Sequence, residues 1–416
     1  MSAATPLSSP LNSPPRAFAQ DPCELTQLAQ RLVRSPGQAR GLPNAAYADP
    51  QFLALEYQQL FPRTWVCVGL LDDVPERGDV YPITVAGRPL IVVRGEDDQV
   101  RVFHNVCSHR GAQLVSAPCS GLRNLRCPYH SWLYGLAGDL QRTPHFQGFG
   151  RHERSTGADL NLRPVPSASW FRLLFVNLDG QAPPFEQHLA PLANRWRAYD
   201  FSLLRHGESV GFEIRANWKL VIENYVESYH LPTVHPNLNR YSSLQDHYQV
   251  LGPMSYVGQG SRCYNPSDEG SGRLPRFPNL PAALTQQSEY ICLFPNVMVG
   301  CHADHVYAFI VEPVAVDHTR ERFEFFFVGE DALGPELAAA RHACAARRQE
   351  INGEDIDIVE RLQVGRASPA FDGGIFSPVM EDTVHLFQCL VTQALTGVAP
   401  HVQGDAIVEP HEVTAP

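Results

Sequence analysis

Polar and apolar positions between about residues 65 and 106 follow the period of two that is typical of β-strands. Segments rich in Val, Ile and aromatic residues predict strands at residues 79–85, 89–94 and 100–106. Turn residues separate them, with Gly87 in the first connection and Gly95 in the second. The pattern predicts a small all-β domain over residues 47–165.

The second half of the chain mixes strand and helix patterns. Strongly apolar strands are predicted at residues 171–177, 290–300, 306–314 and 322–328, and long helical stretches lie between them. This mixture predicts an α+β domain over residues 166–397, in which helices flank an antiparallel sheet.

The two ends of the chain offer little to a hydrophobic core. Prolines among serines and alanines predict that the first 20 residues are disordered. Short helices are predicted at residues 23–34 and 56–61. We therefore interpret residues 1–46 as a disordered arm with a short helix, and residues 398–416 as a tail.

Composition limits the classes of function. The 416 residues carry a net charge of −11, with 33 Lys and Arg against 44 Asp and Glu, which argues against a nucleic-acid partner. The sequence shows no secretory signal and no apolar run of the ~18 residues that a membrane helix needs. Ten cysteines with scattered spacing are untypical of a disulfide framework, so the cytoplasm is the predicted location, with no membrane partner.

The segment from Cys107 to His130 contains two mixed pairs of metal-ligand residues. Cys107 and His109 form Cys-x-His, and Cys127 and His130 form Cys-x-x-His. A [2Fe–2S] centre of the Rieske type takes two thiolates on one iron and two histidines on the other, which these pairs supply. Zinc is the alternative, although zinc sites more often use Cys-Cys and His-His pairs. Cys119 lies outside both motifs and is interpreted as an ordinary buried thiol.

Residues 217–230 predict a helix that ends before a proline. Glu223, Glu227 and His230 share one face of this helix. One interpretation is a solvated face on which Lys219 and Glu223 form an ion pair across one turn.

His235 gives the same helix a second interpretation, as part of a metal site. It lies beyond Pro232, so its imidazole can share a metal with His230 if the helix ends between them. Two histidines and one carboxylate form the facial triad of non-haem iron(II) oxygenases, which leaves positions open for O₂.

The candidate carboxylate lies in the helix predicted around residues 350–365. Asp355 shares its face with apolar residues, whereas Asp357 lies with Glu354 on the other side. An inward-facing carboxylate is costly unless it is paired or metal-bound, so we prefer Asp355 as the ligand. An acid favoured by the dipole of a helix N-terminus is the alternative, and it fits Glu354 at least as well.

Together the two constellations resemble the α subunit of Rieske non-haem iron oxygenases, also called ring-hydroxylating oxygenases. The resemblance covers about residues 45–395. It rests on the cysteine–histidine pairs, on Asn217-Trp218-Lys219, Tyr229-His230 and His235-Pro236, and on Asp355 with Glu360 and Gln363. It implies a Rieske domain followed by a helix-grip catalytic domain. The implied cofactors are a [2Fe–2S] cluster on Cys107, His109, Cys127 and His130, and mononuclear Fe(II) on His230, His235 and Asp355.

The resemblance also implies partners for the chain. These are a small-molecule substrate, O₂, and a separate NAD(P)H-dependent reductase or ferredoxin, because no nicotinamide or flavin motif is visible. The family implies a homotrimer in which the cluster of one subunit reduces the iron of its neighbour. Electrons would pass through Glu227 to His230, although most of the family has Asp at the position of Glu227.

In having Glu at position 227, the chain resembles the branch of the family that acts on quaternary ammonium compounds such as carnitine and related betaines. Hydroxylation of an N-methyl group would release formaldehyde, and aromatic ring hydroxylation or O-demethylation is the alternative. Rieske electron-transfer proteins and structural zinc proteins are competing classes, but neither needs a second iron site. Five tyrosines are candidates for an aromatic cage around such a cation, and the alternative for each is an ordinary core or surface aromatic: Tyr225, Tyr229, Tyr241, Tyr256 and Tyr264.

Overall fold

A computed structural model describes residues 22–32, 35–151, 160–252, 255–265 and 273–397. The predicted disordered arm over residues 1–20 and the tail over residues 398–416 lie outside these residues. The first helices are α1 (Pro22–Leu32), α2 (Ala45–Ala48) and α3 (Pro50–Leu55). A wider helical turn, Glu56–Leu60, continues α3, so the helix predicted at residues 56–61 is the end of one that begins at Pro50.

The first β-rich region is built from short strands in three small antiparallel sheets. The strands are β1 (Val66–Leu70), β2 (Val80–Val85), β3 (Arg88–Arg94), β4 (Val100–His104), β5 (Leu125–Arg126), β6 (Leu133–Tyr134), β7 (Leu140–Arg142), β8 (Pro164–Val165), β9 (Ser167–Trp170) and β10 (Leu173–Val176). The sheet orders are β2-β3-β4-β8, β5-β6-β7 and β1-β10-β9. Strands β2, β3 and β4 confirm the three predicted from alternation.

A large antiparallel sheet dominates the second half of the described chain. Its strands are β11 (Leu204–Ile214), β12 (His247–Leu251), β13 (Tyr256–Ser261), β14 (Ser288–Leu293), β15 (Val297–Cys301), β16 (His305–Ala315) and β17 (His318–Val328). Their order across the sheet is β11-β17-β16-β15-β14-β13-β12. Each of the later strands pairs with its sequence neighbour, so the sheet is a meander closed by β11 at one edge.

Both faces of the sheet are buried at β13, β14 and β15, where every residue of the strand is buried. Successive side chains of a strand point to opposite sides, so the two faces contribute to different cores. On β16, Tyr307 and Phe309 join a core shared with helices, whereas Ala308 and Ile310 join a core shared with β1 and β10. The helices that follow the first region are α4 (Phe185–Arg195), α5 (Trp218–Tyr225), α6 (Leu231–Val234), α7 (Ala338–Arg366) and α8 (Asp382–Thr396). The α+β architecture predicted from the sequence is confirmed.

The N-terminal helices pack on the helices of the second half. Helix α1 lies along α8, and the Glu56 carboxylate lies 2.6 Å from Nζ of Lys219 on α5, with both side chains fully buried. Glu223 accepts a hydrogen bond of 2.6 Å from the Tyr47 hydroxyl. The solvated Lys219–Glu223 pair is therefore wrong, because each residue has a buried partner from the N-terminal segment. The domain boundaries at residues 46, 165 and 397 stay predictions.

Two predicted elements are divided in the structure. The helix predicted over residues 217–230 ends at Tyr225, and α6 begins a new turn with Pro232 in its first turn, where a missing N–H costs nothing. The strand predicted over residues 290–300 is the hairpin of β14 and β15, whose turn contains the cis Phe294–Pro295 bond. None of the helices among the described residues combines the length and apolar character needed to cross a bilayer.

Candidate metal centres and active site

The loops that carry the two cysteine–histidine pairs share one backbone pattern. The amide of Cys107 donates to the carbonyl of Ala112 at 2.8 Å, and the amide of Cys127 donates to that of Trp132 at 2.8 Å. Four residues after each cysteine the backbone adopts a positive φ, 74° at Gly111 and 59° at Ser131. In both loops this residue donates its amide to the cysteine carbonyl at 3.0 Å. Each cysteine is thus enclosed by a tight loop that turns its histidine toward the other loop.

The strands hold the two loops against each other. The second loop is the turn between β5 and β6, and the first follows β4 directly. The Asn105 side chain fixes the first loop, because its oxygen accepts from the amide of Leu114 at 3.0 Å and its nitrogen donates to the carbonyl of Val115 at 2.7 Å. As a result the rings of His109 and His130 lie 4.6 Å apart between their centroids.

The donor atoms of these loops fit an iron–sulfur cluster. Cys107 and Cys127 are buried, and the Nδ1 atoms of His109 and His130 are buried without a hydrogen-bond partner within the described part of the chain. A buried polar atom without a partner is costly, and metal coordination satisfies it. Burial raises the pKa of the Cys107 thiol, which the Tyr134 hydroxyl at 3.3 Å opposes; bound iron favours the thiolate further.

The three residues predicted as iron ligands are brought together. His230 and His235 stand at the two ends of α6, and Asp355 lies in the middle of α7. One Asp355 oxygen is 2.9 Å from Nε2 of His235 and 3.6 Å from Nε2 of His230. One ligand atom from each residue lies within 4.8 Å of the others, a spacing that suits a single metal ion.

A second carboxylate holds the other nitrogen of each histidine. Glu227 lies 2.5 Å from Nδ1 of His230, and Glu354 lies 2.6 Å from Nδ1 of His235. An ionised carboxylate only accepts hydrogen bonds, so each Nδ1 carries the proton and each Nε2 presents its lone pair to the metal position. Burial alone would lower the pKa of both histidines, but the carboxylates outweigh it and raise the pKa of each.

Glu354 corrects one sequence-based interpretation. Helix α7 begins at Ala338, so Glu354 is not an acid at a helix N-terminus, and it does not lie on the face away from the metal site. Asp357 is exposed and pairs with Arg361 at 2.8 Å, as expected for a residue outside the site. The sequence offered one signal for Glu354. A histidine that binds a metal usually donates its other ring N–H to an acceptor such as a carboxylate, so each of the two candidate histidines calls for an orienting acid nearby.

An aromatic cavity adjoins the three ligands. Its aromatic lining comes from α5 and from the sheet: Tyr225, Tyr290, Tyr307, Phe309 and Phe323. Of the five candidate tyrosines, Tyr225 alone lines this cavity. Tyr229 is exposed, Tyr256 belongs to the core on the other face of the sheet, and Tyr241 packs on Tyr264 outside the lining of the cavity.

Helix α7 also places polar residues in the cavity that the sequence analysis missed. These are Arg348 and Asn352, which lie at helical spacing from the predicted ligand Asp355, and all three line the cavity. Asn352 donates 2.7 Å to Glu321, a buried carboxyl whose pKa is raised to about 8 by burial. Extending the predicted helix upstream of residue 350 would have shown this shared face.

The chain matches two protein families and is similar to several known proteins. Residues 64–156 match the Rieske [2Fe-2S] domain, and residues 201–397 match the ring hydroxylating alpha subunit (catalytic domain). The glycine betaine monooxygenase oxygenase subunit of Chromohalobacter salexigens is 36% identical over 207 residues, which are 50% of this chain and 46% of that relative. Its counterpart from Pseudomonas aeruginosa is 26% identical over 399 residues, covering 87% of this chain and 90% of that relative. A solved quaternary ammonium Rieske monooxygenase superposes with a TM-score of 0.73 at 22% identity, covering 88% of this chain and 98% of the other.

The protein belongs to the Rieske non-haem iron oxygenases. It combines a Rieske [2Fe–2S] domain with the catalytic domain of a ring-hydroxylating α subunit, which binds mononuclear iron. Within that family the chain is an oxygenase subunit homologous to betaine and carnitine monooxygenases, and dependence on a separate reductase is consistent with this family.

Proposed function

We propose that the protein is a monooxygenase that removes an N-methyl group from a quaternary amine. The observation that carries the proposal is the convergence of His230, His235 and Asp355 beside an aromatic cavity. Aromatic faces attract quaternary ammonium groups through the negative potential above the ring. The kinship with betaine and carnitine monooxygenases supports the same substrate class.

We further propose a role for each polar residue of the two centres. Cys107, His109, Cys127 and His130 would hold the cluster, and His230, His235 and Asp355 the iron. When bound, the two groups supply electrons and O₂ activation. Glu227 and Glu354 keep the protons on Nδ1 of the two iron histidines and fix the planes of their rings.

The overall reaction balances with two electrons. The N-methyl compound, O₂, two electrons and two protons give the N-hydroxymethyl cation and water. That cation then releases formaldehyde and a proton, which leaves the tertiary amine. The electrons would come from an NAD(P)H-dependent reductase or a ferredoxin.

The proposal includes a homotrimer in the cytoplasm. Tyr129 and Phe146 surround the cluster histidines and are 58% and 51% exposed, as suits a surface that another protein covers. Glu227, already bonded to His230, lies beside the exposed Tyr229, where a neighbouring subunit could approach. Free cysteines among the described residues, with no disulfide between them, support a reducing compartment.

A single-turnover assay tests the reaction. Reduced protein loaded with both iron centres would be mixed with O₂ and a panel of quaternary amines, tertiary amines, aromatic acids and methoxy-aromatics. We expect formaldehyde from an N-methyl compound, and none from the His235→Ala variant, whose cluster spectrum should remain. Turnover of aromatic compounds alone would overturn the N-demethylase proposal. A normal cluster without mononuclear iron or turnover would indicate an electron carrier.

A further inference from the structure

We propose that Arg348 binds an anionic group of the substrate, so that the cavity selects zwitterionic betaines over quaternary amines that lack an acid. This inference rests on the proposed function and names the substrate class within it. The guanidinium of Arg348 is buried and lines the cavity beside the three proposed iron ligands.

Arg348 is a cation held almost entirely by neutral groups. Its side chain is 5% exposed, and Nη2 lies 2.9 Å from Nε2 of His302. Its guanidinium carbon lies 4.6 Å, 5.2 Å and 5.9 Å from the ring centroids of Tyr264, Tyr307 and Tyr290. These three tyrosine rings therefore surround a cation of the protein itself.

The surroundings of Arg348 leave its charge without a counter-ion. None of the ion pairs within the described ranges includes it, and burial together with the nearby guanidinium lowers the pKa of His302 well below its usual value. Asp355, which lines the same cavity, is assigned to iron. Glu321 lines an adjoining pocket with Asn352 and Asp355, and burial raises its pKa to about 8. Guanidinium stays protonated at all relevant pH. A buried cation is costly unless it is paired, so an anion entering the cavity has a partner there.

The position of Arg348 along α7 sets the shape of the ligand. Arg348 and Asp355 are seven residues apart on one helix, which is about 10 Å between their Cα atoms. Tyr225, Phe309 and Phe323 line the same cavity. A zwitterion can direct its ammonium to these rings and its acid to Arg348. A quaternary amine without the acid keeps the contact with the rings, but nothing in it offsets the repulsion of the guanidinium.

Matched ligands test the inference on the wild-type holoenzyme. Anaerobic calorimetry would compare glycine betaine and γ-butyrobetaine with their methyl esters and with choline. We expect the acids to bind about tenfold or more tightly than their esters, the range for a charge-assisted hydrogen bond. Equal affinity of acid and ester would overturn the inference without any variant.

Variants then assign the preference to one residue. Arg348→Gln should abolish the difference between acid and ester, and Arg348→Lys should retain part of it. Arg361→Gln, on the exposed side of the same helix, should leave it unchanged. An acid preference that persists in folded Arg348→Gln protein would overturn the assignment; if that variant does not fold, the wild-type ligand series decides.

The same experiment separates this inference from the proposed function. Formaldehyde from esters and acids alike, with equal affinities, would keep N-demethylation and remove the anion site. Turnover confined to aromatic compounds, with aromatic acids bound more tightly than their amides, would keep the anion site and remove N-demethylation.

Discussion

Glu354 lies 2.6 Å from Nδ1 of His235, while its sequence neighbour Asp355 lies 2.9 Å from Nε2 of the same ring. Consecutive residues of a helix project about 100° apart, and the imidazole spans the two carboxylates. One helix therefore supplies both a proposed iron ligand and the group that orients another. His230 has the same arrangement, with Glu227 on its Nδ1.

Removing the orienting acid should weaken iron binding without touching a ligand. We expect Glu354→Ala to lower iron affinity by about 10–100-fold, because Nδ1 of His235 loses its acceptor and the ring its fixed tautomer. Metal competition followed by iron analysis measures this, and an unchanged cluster spectrum shows that the fold persists. Asp357→Asn is the control, since Asp357 pairs with Arg361 at the surface. Equal iron affinity in Glu354→Ala and the control would contradict the prediction.

Glu227 should govern electron transfer more than iron binding. Glu227→Gln keeps an oxygen that can accept from Nδ1 of His230 but removes the charge, so iron should stay bound. We expect reoxidation of the reduced cluster by O₂ and substrate to slow by about tenfold or more. Stopped-flow absorption of the cluster measures this rate. Glu330→Gln, which changes an acid on the exposed surface, should behave as wild type; an equal rate in both variants would remove Glu227 from the proposed path.

Removing one partner of the buried pair of Glu56 and Lys219 should destabilise the folded protein strongly. Burial lowers the pKa of Lys219, and the charge of Glu56 opposes that effect. Glu56→Gln leaves the ammonium without a counter-charge, so the free energy of unfolding should fall by about 3–5 kcal/mol. Denaturant unfolding measures this against Asp97→Asn, which breaks an exposed pair that solvent screens and should therefore cost much less. A similar loss in the two variants would show that burial adds nothing.

Glu321 should make stability fall as the pH rises toward 8. Burial raises the pKa of its carboxyl to about 8, and the charge of Asp355 adds to this, whereas the Asn352 hydrogen bond opposes it. The folded state then holds a proton that the unfolded state loses near pH 4.5. Between pH 4.5 and 8 the free energy of unfolding should therefore fall by up to about 1.4 kcal/mol per pH unit. Glu321→Gln should flatten that slope in denaturant unfolding of iron-free protein. A slope unchanged in the variant would show that Glu321 ionises normally.

Most of the proposed ligands can be chosen from the sequence because they belong to short local motifs. Each cysteine–histidine pair lies within one tight loop, and His230 and His235 flank a single four-residue helix. Asp355 could be chosen over Asp357 from helical periodicity alone. These choices need no knowledge of how distant segments pack.

What the sequence does not reveal depends on partners far along the chain. Glu56 and Lys219 meet across 163 positions, and Glu354 meets His235 across 119. Pattern analysis assigns such acids to solvated faces, since charged residues are mostly exposed. The rings of the cavity could not be chosen for the same reason, because they come from strands β14, β16 and β17 as well as α5.

The pairing of β1 with β10 has a consequence for protein engineering. Val66 and Val176 lie opposite each other, so the chain enters and leaves the cluster-bearing region at one place. The helices before that point pack with α5 and α8, and α5, α7 and α8 belong to the same core. The cluster region is thus a cassette inserted into a scaffold whose halves lie on either side of it in the sequence. A foreign cassette would therefore have to keep the apolar residues of β1 and β10 that pack on the large sheet. A fusion cut at residue 165 would instead separate the N-terminal helices from the rest of the scaffold.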